Sequence, residues 1–181
     1  VRKLRLSGTS GSVDVDIDSW SADVFRRTFS LKSDWYRFPD FALPAEDVNG
    51  FWLAKGDGTV LAFGDALHFG DMSGVALDEP IVSMTPTSSG LGYWLVASDG
   101  GIFTFGDAAF HGSAGDLDLV APIVDMATTP DGAGYWLAAA DGGIFTYGSA
   151  AFFGSMGGIT LRRPVVGMTP TASGDGYWLV G

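Results

Sequence analysis

Asp14, Asp16 and Asp18 alternate along the chain, and on a β-strand all three carboxylates would project from one face. Like charges so placed repel, and a Ca²⁺ ion would relieve them, because this hard cation takes carboxylate oxygens. The stretch has neither the glycine nor the closing bidentate Glu of a calcium loop, so a solvated acidic strand face is the simpler reading. Ca²⁺ is the one cofactor these residues suggest, and nothing in the sequence requires it.

The remaining candidates are tied to a 42-residue period that runs through most of the chain. Asp57, Asp99 and Asp141 each precede a glycine and are hairpin-turn residues first. Asp65 and Asp107 recur after a glycine, but the third equivalent is Ser149, which weakens any ring of identical metal ligands. The two histidines are out of register: His68 matches Phe110, and His111 matches Phe69 and Phe153. Ligands generated by a repeat would have aligned, so each histidine is read as a packing or surface residue. Asp116 and Asp118 could stand as the paired carboxylates of a glycosidase, yet they align with Gly158 and Thr160. The chain has no cysteine, no Gly-x-Ser-x-Gly elbow, no phosphate-binding glycine loop and no His-Glu-x-x-His. Catalysis needs unlike residues to converge, whereas repetition multiplies like ones, and no enzyme is expected.

The elements that would position these residues follow from Trp52, Trp94, Trp136 and Trp178, which stand 42 residues apart. They sit in the phrase Gly-Phe-Trp-Leu once and Gly-Tyr-Trp-Leu three times. A period in the low forties with strand-like text predicts an all-β fold of β-propeller blades, each of four antiparallel strands that must bury their faces against neighbours. Pro39, Pro80, Pro122 and Pro164 open the successive units, since proline fits the first residue of a strand. A unit then reads as a strand (Ile123-Val124-Asp125-Met126), a polar turn and a second strand (Gly134-Tyr135-Trp136-Leu137-Ala138). An Asp-Gly hairpin follows, then a third strand (Ile144-Phe145-Thr146-Tyr147) and a fourth around Ala151-Phe152-Phe153-Gly154. The predicted organisation is a β-rich segment over 1–38, blades over 39–79, 80–121 and 122–163, and a half-blade over 164–181. A β-trefoil is the alternative, but it leaves the fourth Tyr-Trp-Leu unplaced; a solenoid ranks below both. Tyr93-Trp94-Leu95-Val96-Ala97 is apolar at every position, which predicts a strand buried on both faces. The repeated aromatics are accordingly read as packing rather than as exposed stacking platforms.

The net charge of −11 argues against nucleic acid or anionic lipid as partners, because both are bound by clustered Lys and Arg. The charge is uneven: residues 51–181 carry 3 basic against 13 acidic side chains, while residues 1–50 are nearly balanced, which implies two differently built segments. No apolar run approaches the ~18 residues of a membrane-spanning helix, and no membrane insertion is expected. The lack of cysteine excludes disulfides and thiolate sites and indicates no compartment. The chain opens at Val1 without an initiator Met or a signal-like stretch, which is read as a processed chain or a fragment.

The half-blade 164–181 has apolar strands whose open edge needs a partner, so Tyr177, Trp178, Leu179 and Val180 are expected to take part in strand pairing. Val24-Phe25-Arg26-Arg27-Thr28-Phe29, with Phe25 and Phe29, is one candidate to meet them. Pairing within one chain would close a small ring, and pairing with the next chain would build a polymer. Residues 2–18 alternatively resemble the last hairpin of a carbohydrate-binding type of β-sandwich.

The phrase Gly-Tyr-Trp-Leu-Val-Ala-Ser-Asp-Gly-Gly-Ile-Phe-Thr-Phe-Gly-Asp-Ala-Ala-Phe-His-Gly-Ser from Gly92, continuing at Pro122-Ile-Val-Asp-Met, resembles the Gly-Tyr-Trp-Leu repeats of large exported actinobacterial surface proteins. The resemblance covers about residues 39–181. It implies an extracellular, propeller-like array, often attached to other modules and without an assigned activity. Phe51, Lys55-Gly56 and Thr59-Val60-Leu61 depart from the wording, as a terminal blade does. The leading expectation is a non-enzymatic structural module of a bacterial surface. It would associate with itself, or with other modules of the same protein, and build a filament or layer by strand complementation. The alternative is a carbohydrate-binding module of a larger secreted protein, with Trp20, Trp35 and Tyr36 stacking on a cell-surface glycan.

Overall fold

The computed structural model describes residues 3–8, 11–16 and 50–181. Within them the protein is all-β, made of small antiparallel sheets, and the described residues contain no helix. β1 (Lys3–Gly8) and β2 (Gly11–Asp16) form a two-stranded hairpin. Its register sets Lys3 opposite Asp16 and Arg5 opposite Asp14.

The repeats form four further sheets. β3 (Phe51–Ala54) pairs with β4 (Val60–Phe63), and β11 (Gly167–Pro170) pairs with β12 (Tyr177–Val180). Between them lie two three-stranded sheets, β5 (Ile81–Pro86), β6 (Gly92–Ala97) and β7 (Ile102–Gly106), then β8 (Ile123–Thr128), β9 (Gly134–Ala139) and β10 (Ile144–Gly148). The second strand is central in each. The hairpin after it is an Asp-Gly turn: Gly100 adopts φ 87° and Gly142 φ 82°, and the Asp99 carboxylate accepts the Gly101 N–H at 2.8 Å. A Cβ on Gly100 would also come within 2.6 Å of the Ala114 methyl, so both conformation and packing demand glycine there.

Successive side chains of a strand point to opposite faces, and in β6 and β9 those faces meet different neighbours. Tyr93, Leu95 and Ala97 pack backward, with Trp52, Val60 and Phe69 of the preceding repeat. Trp94 and Val96 pack forward, with Tyr135, Leu137 and Ala139 of the next. In β9 the pattern recurs, with Trp136 and Ala138 packing forward against Met168, Tyr177 and Leu179. All residues of β6 and β9 are buried, which is the physical reason the strand is apolar at every position. The core is therefore a series of interfaces between consecutive repeats, the arrangement of a quasi-one-dimensional stack.

The fourth strand expected in each repeat is not formed. Among the described residues both three-stranded sheets end at their third strand, and residues 109–112 and 151–154 join no ladder. The backbone groups of these segments are taken by side chains instead. Trp94 Nε1–H donates to the Ala109 carbonyl at 2.8 Å, and the Tyr135 hydroxyl receives the His111 N–H at 3.1 Å. Each backbone group taken in this way is lost to a ladder.

Candidate functional site

The residues that act together in this protein lie at the junctions between repeats. Each junction fixes one loop with two side chains. Trp52, Trp94 and Trp136 donate their indole N–H to the carbonyls of Leu67, Ala109 and Ala151 at 2.8, 2.8 and 2.7 Å. From the next repeat, the hydroxyls of Tyr93, Tyr135 and Tyr177 accept the N–H of Phe69, His111 and Phe153 at 3.3, 3.1 and 3.2 Å. The same hydroxyls donate to the carbonyls of Gly70, Gly112 and Gly154, each at 2.5 Å. The loop is thus held by the Trp of its own repeat and the Tyr of the following one. Burial pushes the Tyr93 and Tyr135 phenols above their ordinary range, so both remain donors at neutral pH.

A second junction element is Asp125. β5 and β8 each carry a bulge, between Ile81 and Ser83 and between Ile123 and Asp125, which re-aims the side chain that follows it. Ser83 Oγ donates to Asp125 Oδ1 at 2.9 Å, and the Met126 N–H donates to the same oxygen at 2.8 Å. Asp125 Oδ2 accepts the Met168 N–H at 2.9 Å. One carboxylate therefore ties together the first strands of three consecutive repeats.

The recurring acidic positions form small hydroxyl–carboxylate clusters beside the turn between the first and second strands. In one repeat Thr87 and Ser89 donate to Asp107 at 2.8 and 2.6 Å. In the next, Thr129 and Ser149 donate to Asp131 at 2.5 and 3.1 Å. Ser and Asp have exchanged places across the cluster, so Ser149 is no loss of a carboxylate: Asp131 supplies it from the other side. Bonds from Ser89 and Thr87 hold the Asp107 carboxyl below its ordinary value of 3.8. Bonds from Thr129, the Ala133 N–H and Ser149 do the same for Asp131. A depressed folded pKa contributes stability that is present above the unfolded value and lost as pH falls through the folded one. The melting temperature should therefore drop below about pH 4, and more shallowly in an Asp107→Asn/Asp131→Asn double variant. Equal slopes in the two proteins would show that these clusters do not contribute.

The histidines do not meet. His68 is exposed on the surface, with Nε2 3.5 Å from Asp71 Oδ2. His111 packs against Tyr135 at a ring separation of 5.5 Å, and its buried Nε2 has no hydrogen-bond partner. An unpaired buried polar atom is costly, and the equivalent positions are Phe69 and Phe153. His111→Phe should raise stability by about 1 kcal/mol in urea unfolding, a gain typical of restoring a repeat's preferred residue. Unchanged or lower stability would mean that the imidazole is satisfied by water. Two surface depressions of about 360 and 420 Å³ carry Asp118 with Asp141, and Asp57 with Asp78 and Glu79. Among the described residues no group of three His, Asp or Glu side chains converges as a metal site. Asp14 and Asp16 lie on β2, but their side chains, and Asp18 altogether, fall outside the described residues, as do Trp20, Phe25, Phe29, Trp35 and Tyr36.

Of the four residues expected at an open edge, two already have partners. Tyr177 and Leu179 pack backward against the preceding repeat, while Trp178 and Val180 point forward and are 59% and 57% exposed. Val166 beside them is also exposed. Among the described residues β12 has no strand on its second edge, and Trp178 has no carbonyl like those that receive Trp52, Trp94 and Trp136. At the opposite end of the stack, Phe51 and Phe63 stack at 4.8 Å and are both exposed. Among the described residues, the faces buried inside the stack are thus exposed in its first and last repeats. No protein-family model matches the chain, and no curated protein matches it either.

Proposed function

We propose that this chain is a non-enzymatic structural module, a stretch of propeller-type repeats from an exported bacterial surface protein, whose work is assembly. The observation that carries this reading is the alternation along the second strands. The forward positions that are wholly buried as Trp94 and Trp136 are laid open as Trp178. An apolar face of this kind on the end of a stack marks an interaction surface. The recurring polar groups support the same conclusion, since Asp125, the tyrosine hydroxyls and the indole N–H groups are spent on joining repeats. The extracellular, surface-bound setting follows the wording of the Gly-Tyr-Trp-Leu resemblance. Sedimentation velocity across a concentration series, with electron microscopy of the concentrated sample, tests the proposal. Concentration-dependent growth into filaments or sheets is the expected result. A monodisperse monomer throughout the series overturns it.

A further inference from the structure

We infer that the forward face of one chain, built on Trp178 and Val180, docks head to tail on the backward face of a second copy, built on Phe51 and Phe63. This rests on the reading of the chain as an assembly module and names the surfaces that assemble. The internal junctions supply the pattern. At each of them a Trp from the second strand of one repeat meets an aromatic ring from the second strand of the next. Ring centroids lie 5.8 Å apart for Trp52 and Tyr93, 6.2 Å for Trp94 and Tyr135, and 5.8 Å for Trp136 and Tyr177.

In the complete repeats the receiving ring is itself paired with an aromatic of the third strand, Tyr93 with Phe105 at 5.6 Å and Tyr135 with Tyr147 at 5.7 Å. Phe51 and Phe63 occupy the equivalent positions of the first described repeat, directly opposite each other on β3 and β4. They are the same receiving pair, and among the described residues no Trp lies upon it. Trp178 is the same inserting ring, without a receiver among the described residues. Both are exposed, and among the described residues the two faces do not meet. A second copy offers each face the surface that its internal counterparts already select.

The junction between copies differs from the internal ones in one respect. Phe51 replaces the tyrosine that elsewhere reaches a glycine carbonyl, so the contact is apolar and lacks the hydroxyl bond. It is weaker than an internal junction and therefore reversible on dilution. The two faces are unlike, which makes the contact heterologous and lets it propagate into a filament or close into a ring.

Sedimentation velocity on the full chain and on Trp178→Lys and Phe51→Lys tests this, with circular dichroism to verify folding. Each variant alone should remain monomeric where the parent chain associates, a weakening of about tenfold or more, equivalent to at least ~1.4 kcal/mol. An equimolar mixture of the two should form dimers of one chain each and grow no further, because each variant keeps the face that the other has lost. Val180→Lys and Phe63→Lys replace either variant that fails to fold. Association of a single variant at the parent's strength, or a mixture that stays monomeric, overturns the inference. If the parent chain assembles and neither variant alters it, this interface is wrong and the assembly reading stands. If the parent never assembles, both fall.

Discussion

Replacing Trp136 with alanine should lower the unfolding free energy by about 3–5 kcal/mol, whereas the same change at Trp178 should alter it by less than about 0.5 kcal/mol. The two residues occupy the same place in the same phrase, 42 positions apart. They differ only in what lies in front of them. Trp136 is wholly buried, donates to the Ala151 carbonyl and packs against Tyr177 and Phe153. Removing its indole opens a cavity and leaves that carbonyl without its donor. Trp178 is 59% exposed and loses little by truncation in the single chain. Urea unfolding at a dilution where the chain is monomeric gives both numbers. Equal losses at the two sites would show that the forward and backward faces are not distinct environments.

Asp125→Ala should cost about 2–4 kcal/mol, the second largest effect of a single change. Its carboxylate accepts from the Ser83 hydroxyl and from the N–H groups of Met126 and Met168, and alanine leaves all three without their acceptor. Hydrogen bonds to a charged group are worth about 1.5–3 kcal/mol each, and water recovers part of the loss at a half-buried site. Asp125→Asn, which keeps one acceptor oxygen, should recover a portion. Hydrogen exchange separates this loss from general loosening: the Met168 amide should exchange faster while amides of β6 keep their protection. Parental stability in Asp125→Ala would mean that the bridge is incidental to the stacking of the first strands.

The strands themselves were legible in the chain. Tyr93 to Ala97 reads as a strand with two buried faces, and Asp99-Gly100 reads as a turn that needs positive φ. The error over the fourth strand has a specific cause. Ala109-Phe110-His111-Gly112 has strand-like composition, but composition does not reveal that an indole and a phenol will claim its backbone groups. A signal was available in the persistence of Tyr93, Tyr135 and Tyr177 where a phenylalanine would have packed as well. Asp125 carried a signal too, as a charge within an otherwise apolar first strand. Its role needs Ser83 and Met168, which lie 42 and 43 residues away, and only the stacking of repeats shows that they are adjacent. The end faces were half legible: Tyr177 to Val180 read as one patch, whereas alternate side chains of one strand serve opposite neighbours.

The exchange of Ser and Asp between the two hydroxyl–carboxylate clusters bears on how such a chain can evolve. Ser89 and Asp107 are 18 residues apart, as are Asp131 and Ser149, and each pair functions only with its own member. Recombination between repeats is the natural way for a tandem array to grow, and its breakpoints are not equally tolerated. A crossover inside that interval would join Ser89 to Ser149, leaving hydroxyls with no carboxylate to receive them. The reciprocal product would join Asp131 to Asp107 and set two like charges against each other. Breakpoints outside the interval keep each pair intact. These two repeats therefore exchange without loss only as blocks, whose boundaries fall on either side of the hairpin that carries the Gly-Tyr-Trp phrase.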